Sequence, residues 1–158
     1  MISMKKILKA ALQQIPSLKE KKITAEAIRK YGTNKDLTIT ATAGSGWTMG
    51  STLTATLVGN TLRVVITATK STATGAGDIT NTKIATITID HQGYIAGVYD
   101  ADGVSSTDGH IAGCYTYNNT TSGNTSTFDI AIGATHAAVT TTRFWLNIPV
   151  ILNIDAFL

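Results

Sequence analysis

Residues 52–69 read TLTATLVGNTLRVVITAT. Leu53, Ala55 and Leu57 alternate with Thr52, Thr54 and Thr56, Gly59-Asn60 supplies a two-residue turn, and Leu62, Val64, Ile66 and Ala68 resume the alternation. A period of two sends successive side chains to opposite faces of a strand, and a Gly-Asn pair between two such runs closes a hairpin. The same rhythm appears at 37–43, where Leu37, Ile39, Ala41 and Ala43 alternate with Thr38, Thr40 and Thr42. Further strand-like runs lie at 83–89, 94–99, 110–117, 127–132 and 141–152, separated by Gly-, Ser-, Asn- and Asp-rich loops at 71–80, 100–109, 118–126 and 133–139. About eight short strands with regular turn signals and no helical period between them predict an all-β domain, a jelly-roll-like antiparallel β-sandwich. Composition agrees, with 28 threonines in 158 residues and only 15% charged side chains. Threonine is β-branched and suits a half-exposed pleated face. A chain of this length buries one self-sufficient core.

Residues 1–36 follow a different rule. Met4, Leu8, Ala11 and Ile15 fall at spacings of four, three and four, the a/d rhythm of a coiled-coil seam. Ser3 caps its start, Pro16 stops it, and Ser17-Leu18-Lys19-Glu20 offers a capping box for a restart. A second short helix over 25–31 fits between Thr24 and Gly32. Helices this short need partners to persist in water. The chain therefore divides into 1–36, a helical stalk for oligomerisation or attachment, and 37–158, the β-sandwich head.

Charge divides at the same place. Residues 1–36 hold nine Lys and Arg against three acidic residues, and the remainder holds four against seven. Lysines interleaved with apolar residues read as the solvated face of an amphipathic helix, and a body poor in Arg is ill suited to phosphate, so no nucleic-acid partner is expected. No stretch approaches the ~20 apolar residues of a helical membrane span, and no secretory h-region is expected at the N-terminus. Cys114 is the sole cysteine, which excludes a disulfide or a cysteine-based zinc site within one chain.

The run TTRFWLNIPVIL at 141–152 carries the quaternary reading. One face presents Phe144, Leu146, Ile148, Val150 and Leu152, and the other Trp145, Asn147, Pro149 and Ile151. A strand apolar on both faces is covered on both. One face meets the core, so the other is expected to meet a sister copy. Together with the N-terminal seam this predicts a homo-oligomer, a trimer, whose interface includes Met4, Leu8, Ala11, Ile15, Trp145 and Ile151.

A short stalk with an a/d rhythm, followed by a Thr/Gly/Ser-rich body with runs such as LTITATAGSGWTMG, TLTATLVGNTLRVVITAT and TTRFWLNIPVIL, resembles the distal head domains of bacteriophage tail fibres, baseplate proteins and receptor-binding proteins. The resemblance spans most of the chain in texture and order. It implies a trimeric β-rich head on a helical shoulder, made in a bacterial cytoplasm and mounted on a virion. The N-terminal segment would meet other virion proteins, and the head would bind host cell-wall saccharides. A capsid head fibre, a decoration protein without a specific ligand, or a carbohydrate-binding accessory module fits the same texture.

Chemistry-bearing residues are few. Asp100-Ala101-Asp102-Gly103 has part of a calcium-loop texture but lacks the full ligand set, and turn chemistry explains it more simply. His91, His110 and His136 are widely spaced, without a metal-binding pattern, and no metal or cofactor is expected. No GxSxG elbow positions a serine beside Asp90-His91 or Asp108-x-His110, so no enzymatic activity is expected. Gly44-Ser45-Gly46 reads as a loop that displays Trp47 rather than as a phosphate loop. Trp47, Tyr94, Tyr99, Tyr115 and Tyr117 could stack on sugar rings, with Asp100, Asp102 and Asn118 as hydroxyl partners; core or interface packing is the simpler reading of each ring. The candidate saccharide site is Tyr99, Asp100, Asp102, Trp47, Tyr115 and Tyr117.

Overall fold

The computed structural model describes residues 34–74, 82–107, 110–132 and 139–157. The stalk helices expected within 1–36, with Met4, Leu8, Ala11 and Ile15, lie outside the described residues. The body is all-β. Its strands are β1 (Asn34–Ala43), β2 (Trp47–Val58), β3 (Thr61–Thr74), β4 (Thr82–Asp90), β5 (Ile95–Val98), β6 (Asp102–Thr107), β7 (His110–Ser122), β8 (Thr125–Ile132) and β9 (Val139–Leu152), followed by a 3-10 turn, Ile154–Phe157.

These strands close into an eight-stranded antiparallel barrel, not the two-layer sandwich expected from the sequence. Around the barrel the order is β1, β2, β3, β9, β6, β7, β8, β4 and back to β1. The long strand β9 makes the closure. It pairs with β3 along one edge, from Thr61↔Pro149 to Thr69↔Thr141, and with β6 along the other, from Gly103↔Leu146 to Thr107↔Thr142. β5 extends that second edge beside Val150–Leu152. With both edges of β9 occupied, the sheet curls onto itself instead of splitting into layers. Pro149 accepts from the Tyr99 N–H through its carbonyl at 3.0 Å. A strand residue's N and O point the same way, so its missing N–H faces the interruption between β5 and β6, where the ladder has least need of it.

The 52–69 hairpin forms as its alternation predicts, with Val58↔Thr61 flanking the turn and Gly59 at φ 61°. Only glycine takes that first turn position without strain. Inward-facing Leu57, Leu62, Val64, Ile66, Ile87, Ile89, Phe128, Ile130, Phe144, Leu146 and Ile148 fill the barrel. Eight strands leave an interior just wide enough for side chains, so binding chemistry is sought on the outer surface. At the β6–β9 seam a Cβ on Gly103 would lie 2.5 Å from Leu146 Cδ2 and 2.6 Å from the Trp145 carbonyl oxygen, so only glycine lets the strands meet there.

The barrel has two distinct rims. The 44–46 turn and the ends of β3, β6 and β8 lie at one; the β2–β3, β4–β5 and β7–β8 turns lie at the other, with the start of β1 and the end of β9. At this second rim the Tyr94 ring packs 4.9 Å from Phe157, and the Lys35 ammonium lies 5.1 Å from the Tyr94 ring centre. His91 is buried there: its N–H donates to the Asn124 carbonyl at 2.8 Å and its Nδ1 accepts from the Ile95 N–H at 3.4 Å.

Candidate functional site

Between β5 and β6 the chain leaves the β9 ladder and is stitched to β7 instead. The Ala101 N–H donates to Thr116 Oγ1 at 2.9 Å, and the Thr116 N–H donates to the Ala101 carbonyl at 2.8 Å. This detour sets Asp100 and Asp102 beside the outer face of β7. There the pleat turns Cys114 and Thr116 inward and Tyr115 and Tyr117 outward. The two rings lie 5.8 Å apart, tilted by 44°. Asp100, Ala101, Asp102, Tyr115, Thr116 and Tyr117 line an open depression of about 330 Å3, near the lower end of the roughly 300–1,000 Å3 common for small-molecule sites.

A bulge holds the arrangement in place. The register of β7 on β8 shifts between Tyr117↔Asp129 and Thr120↔Thr127, with Asn118 at φ 55°. Asparagine is among the few side chains that visit this region readily. The bulge aims two neighbouring amides at two carboxylates. Asn119 Nδ2 donates to Asp100 Oδ1 at 2.8 Å, and Asn118 Nδ2 donates to Asp129 Oδ2 at 3.0 Å. Asp129 also accepts from Thr86 Oγ1 at 2.6 Å and pairs with Lys83 Nζ at 2.8 Å. Burial pushes its carboxyl up, but the bonds from Lys83, Thr86 and Asn118 outweigh that and hold it below its ordinary value. Tyr117 shifts upward, by burial and then by the Asp129 charge. Beneath the depression, burial and the Asp102 carboxylate push the Cys114 thiol up to about 12.

Two ring faces and two carboxylates on one open surface can stack against sugar C–H groups and accept hydroxyl protons. The Asp102 carboxylate makes no hydrogen bond or ion pair among the described residues. Elsewhere, the His91 imidazole holds the turn at the second rim through Nδ1, while its buried Nε2 has no partner among the described residues; burial lowers its pKa, against opposing pulls from the Thr125 backbone and the Asp90 charge. No group of three or more His, Cys, Asp and Glu that could hold a metal occurs among the described residues.

The structure thus brings Asp100, Asp102, Tyr115 and Tyr117 together. Tyr99 stands beside them, 54% exposed, but toward β9 and outside the lining of the depression. Trp47 is not part of this surface. It is 6% exposed at the first position of β2, with the Lys70 ammonium 5.8 Å from its ring centre, and β2 lies opposite β7, with three strands between them either way round the barrel. The loop reading of 44–47 missed that Trp47 shares the odd parity of Ala55 and Leu57, which points it inward. Asn119 was also missed, since its role depends on a bulge. On β9 the second face is open in the single chain, with Trp145 38% and Ile151 48% exposed. Trp145 lies between Val65 of β3 and Val104 of β6, and the Arg143 guanidinium sits 5.2 Å from its ring centre. A wider depression of about 470 Å3, lined by Asn34, Asp36, Thr54, Thr56, Val58, Arg63 and Val65, holds no aromatic ring. Compared with family models, with curated proteins and with solved structures, the chain matches none.

Proposed function

We propose that this barrel is the head of a non-enzymatic bacteriophage appendage that holds host cell-wall saccharides in the depression formed by Asp100, Asp102, Tyr115 and Tyr117. The observation that carries this reading is the meeting of two outward tyrosines and two carboxylates on one open surface, over a bulge whose amide orients Asp100. In this reading residues 1–36 form the helical stalk that joins three copies and meets other virion proteins. The uncovered apolar positions Trp145 and Ile151 fit a face that sister copies cover. A shallow sugar site is weak alone; three per trimer and many trimers per particle lengthen residence by avidity.

The test is sedimentation of the 158-residue chain with isolated bacterial cell walls, alongside its mass by light scattering. The expected result is a trimer that co-sediments and loses most of its binding in Tyr117→Ala. A second reading, a capsid fibre or decoration protein whose assembly is its function, is favoured by the Val65, Trp145 and Val104 stripe, which has no sugar-like chemistry. A trimer that ignores every wall tested selects that second reading. A monomer that binds walls selects a free carbohydrate-binding module.

A further inference from the structure

We infer that the depression selects amino sugars carrying a free ammonium over their N-acetylated and anionic counterparts. This inference rests on the saccharide reading above and adds the class of sugar.

It follows from which charges around the depression are already satisfied. Asp100 is oriented by Asn119 through one carboxylate oxygen, at 2.8 Å. Asp102, on the adjoining wall, has a carboxylate with neither a hydrogen bond nor an ion pair among the described residues, and it pairs with Tyr115 in the β6–β7 register. Two of the described cations are engaged elsewhere. Lys83 on β4 is held by Asp129, and Arg143 on β9 lies over Trp145. Among the described residues the surface therefore presents carboxylates without a cationic partner beside a pair of aromatic faces. Anionic saccharides are repelled there. A neutral ring gains stacking and hydroxyl bonds, and an ammonium adds a charge-assisted bond to Asp102 and attraction to the tyrosine faces.

The experiment is isothermal titration of the 158-residue chain with three probes: a β-1,4-linked glucosamine tetramer, its fully N-acetylated equivalent, and a galacturonic acid tetramer. It is run at a pH where the amine is protonated, with wall sedimentation in the same buffer. Because the carboxylate is exposed, the expected preference for the glucosamine tetramer is modest, about fivefold over the acetylated one, with the galacturonic acid tetramer weakest. The preference should shrink as salt is raised, and Asp102→Asn should abolish it, bringing the affinity for the glucosamine tetramer down to that for the acetylated one. Asp102 has no partner to lose, so the variant should fold, and the salt titration of the unsubstituted chain probes the same charge without a substitution. Equal binding of the first two probes, or a preference that survives both Asp102→Asn and high salt, overturns the inference and leaves the saccharide reading standing. Absence of binding to any wall and to all three tetramers overturns both.

Discussion

Two outer faces of one barrel carry the same inward pattern and opposite chemistry. On β3, β9 and β6 the outward positions Val65, Trp145 and Val104 form an apolar stripe with no hydrogen-bonding purpose of its own. On β7, β8 and β4 the outward positions are knitted together: Asn118, Asp129, Thr86 and Lys83 form one network, and Thr88 and Thr127 share a hydrogen bond at 3.2 Å. The first face stands uncovered among the described residues, with Trp145 and Val104 exposed. The second is finished by itself, and the tyrosine depression lies where it borders β6. Alternation decides what is inside such a barrel, and the residues left outside decide what it meets.

The sharpest way to break this contrast uses adjacent residues of β9. Phe144→Ala removes a fully buried ring and should cost about 3–5 kcal/mol in chemical denaturation. Trp145→Ala, one position along and turned outward, should change the stability of an isolated barrel by less than about 1 kcal/mol while weakening assembly in light scattering. Equal losses at both positions would show that Trp145 belongs to the core.

The polar face is tested at Asp129. Its removal leaves Lys83, Thr86 and Asn118 without their shared acceptor, so Asp129→Ala should cost about 1–2 kcal/mol, reduced from a fully buried network because Lys83 is partly solvated. The sign of the pH effect follows from the lowered carboxyl. The contribution is present above the ordinary value of 3.8 and is lost as pH falls toward the folded value. A denaturation series from neutral to acid pH should fall less steeply in Asp129→Asn than in the natural chain. An unchanged slope would mean that the network carries no weight.

The smallest effect concerns Cys114, beneath the depression. A buried thiol held at about 12 is almost wholly protonated at mild alkaline pH. Iodoacetamide labelling there should follow global unfolding, with denaturant dependence matching the spectroscopic transition. Rapid labelling of the native chain would show that β7 opens locally.

Much of the barrel was legible along the chain, because alternation is local. The 52–69 hairpin and the two faces of 141–152 follow from parity alone. Closure was not legible, since it depends on β9 meeting β3 and β6 across long separations. Strand β6 was hidden in a run, DGVSST, whose composition is that of a turn. The β7–β8 hairpin was read as a loop over 118–126 because its bulge interrupts the alternation and the inward Ser126 is polar. Small polar residues also face inward at Ser105, Thr116 and Thr142, blurring the pattern on three more strands. At the candidate site, the shared face of Tyr115 and Tyr117 follows from their spacing of two. The approach of Asp100 and Asp102 does not, because it requires the β6–β7 pairing and the stitch at Thr116.

The occupied edges of β9 have a consequence for how such molecules crowd together. Among the described residues the long strands are each flanked on both sides, so they offer a neighbour almost no free row of amides to copy, and the short β5 is the edge where one could start. Copies held at high local density can therefore touch without templating runaway fibrils. Any bond between them is made by protruding side groups, and a single substitution can tune it without unravelling the ring.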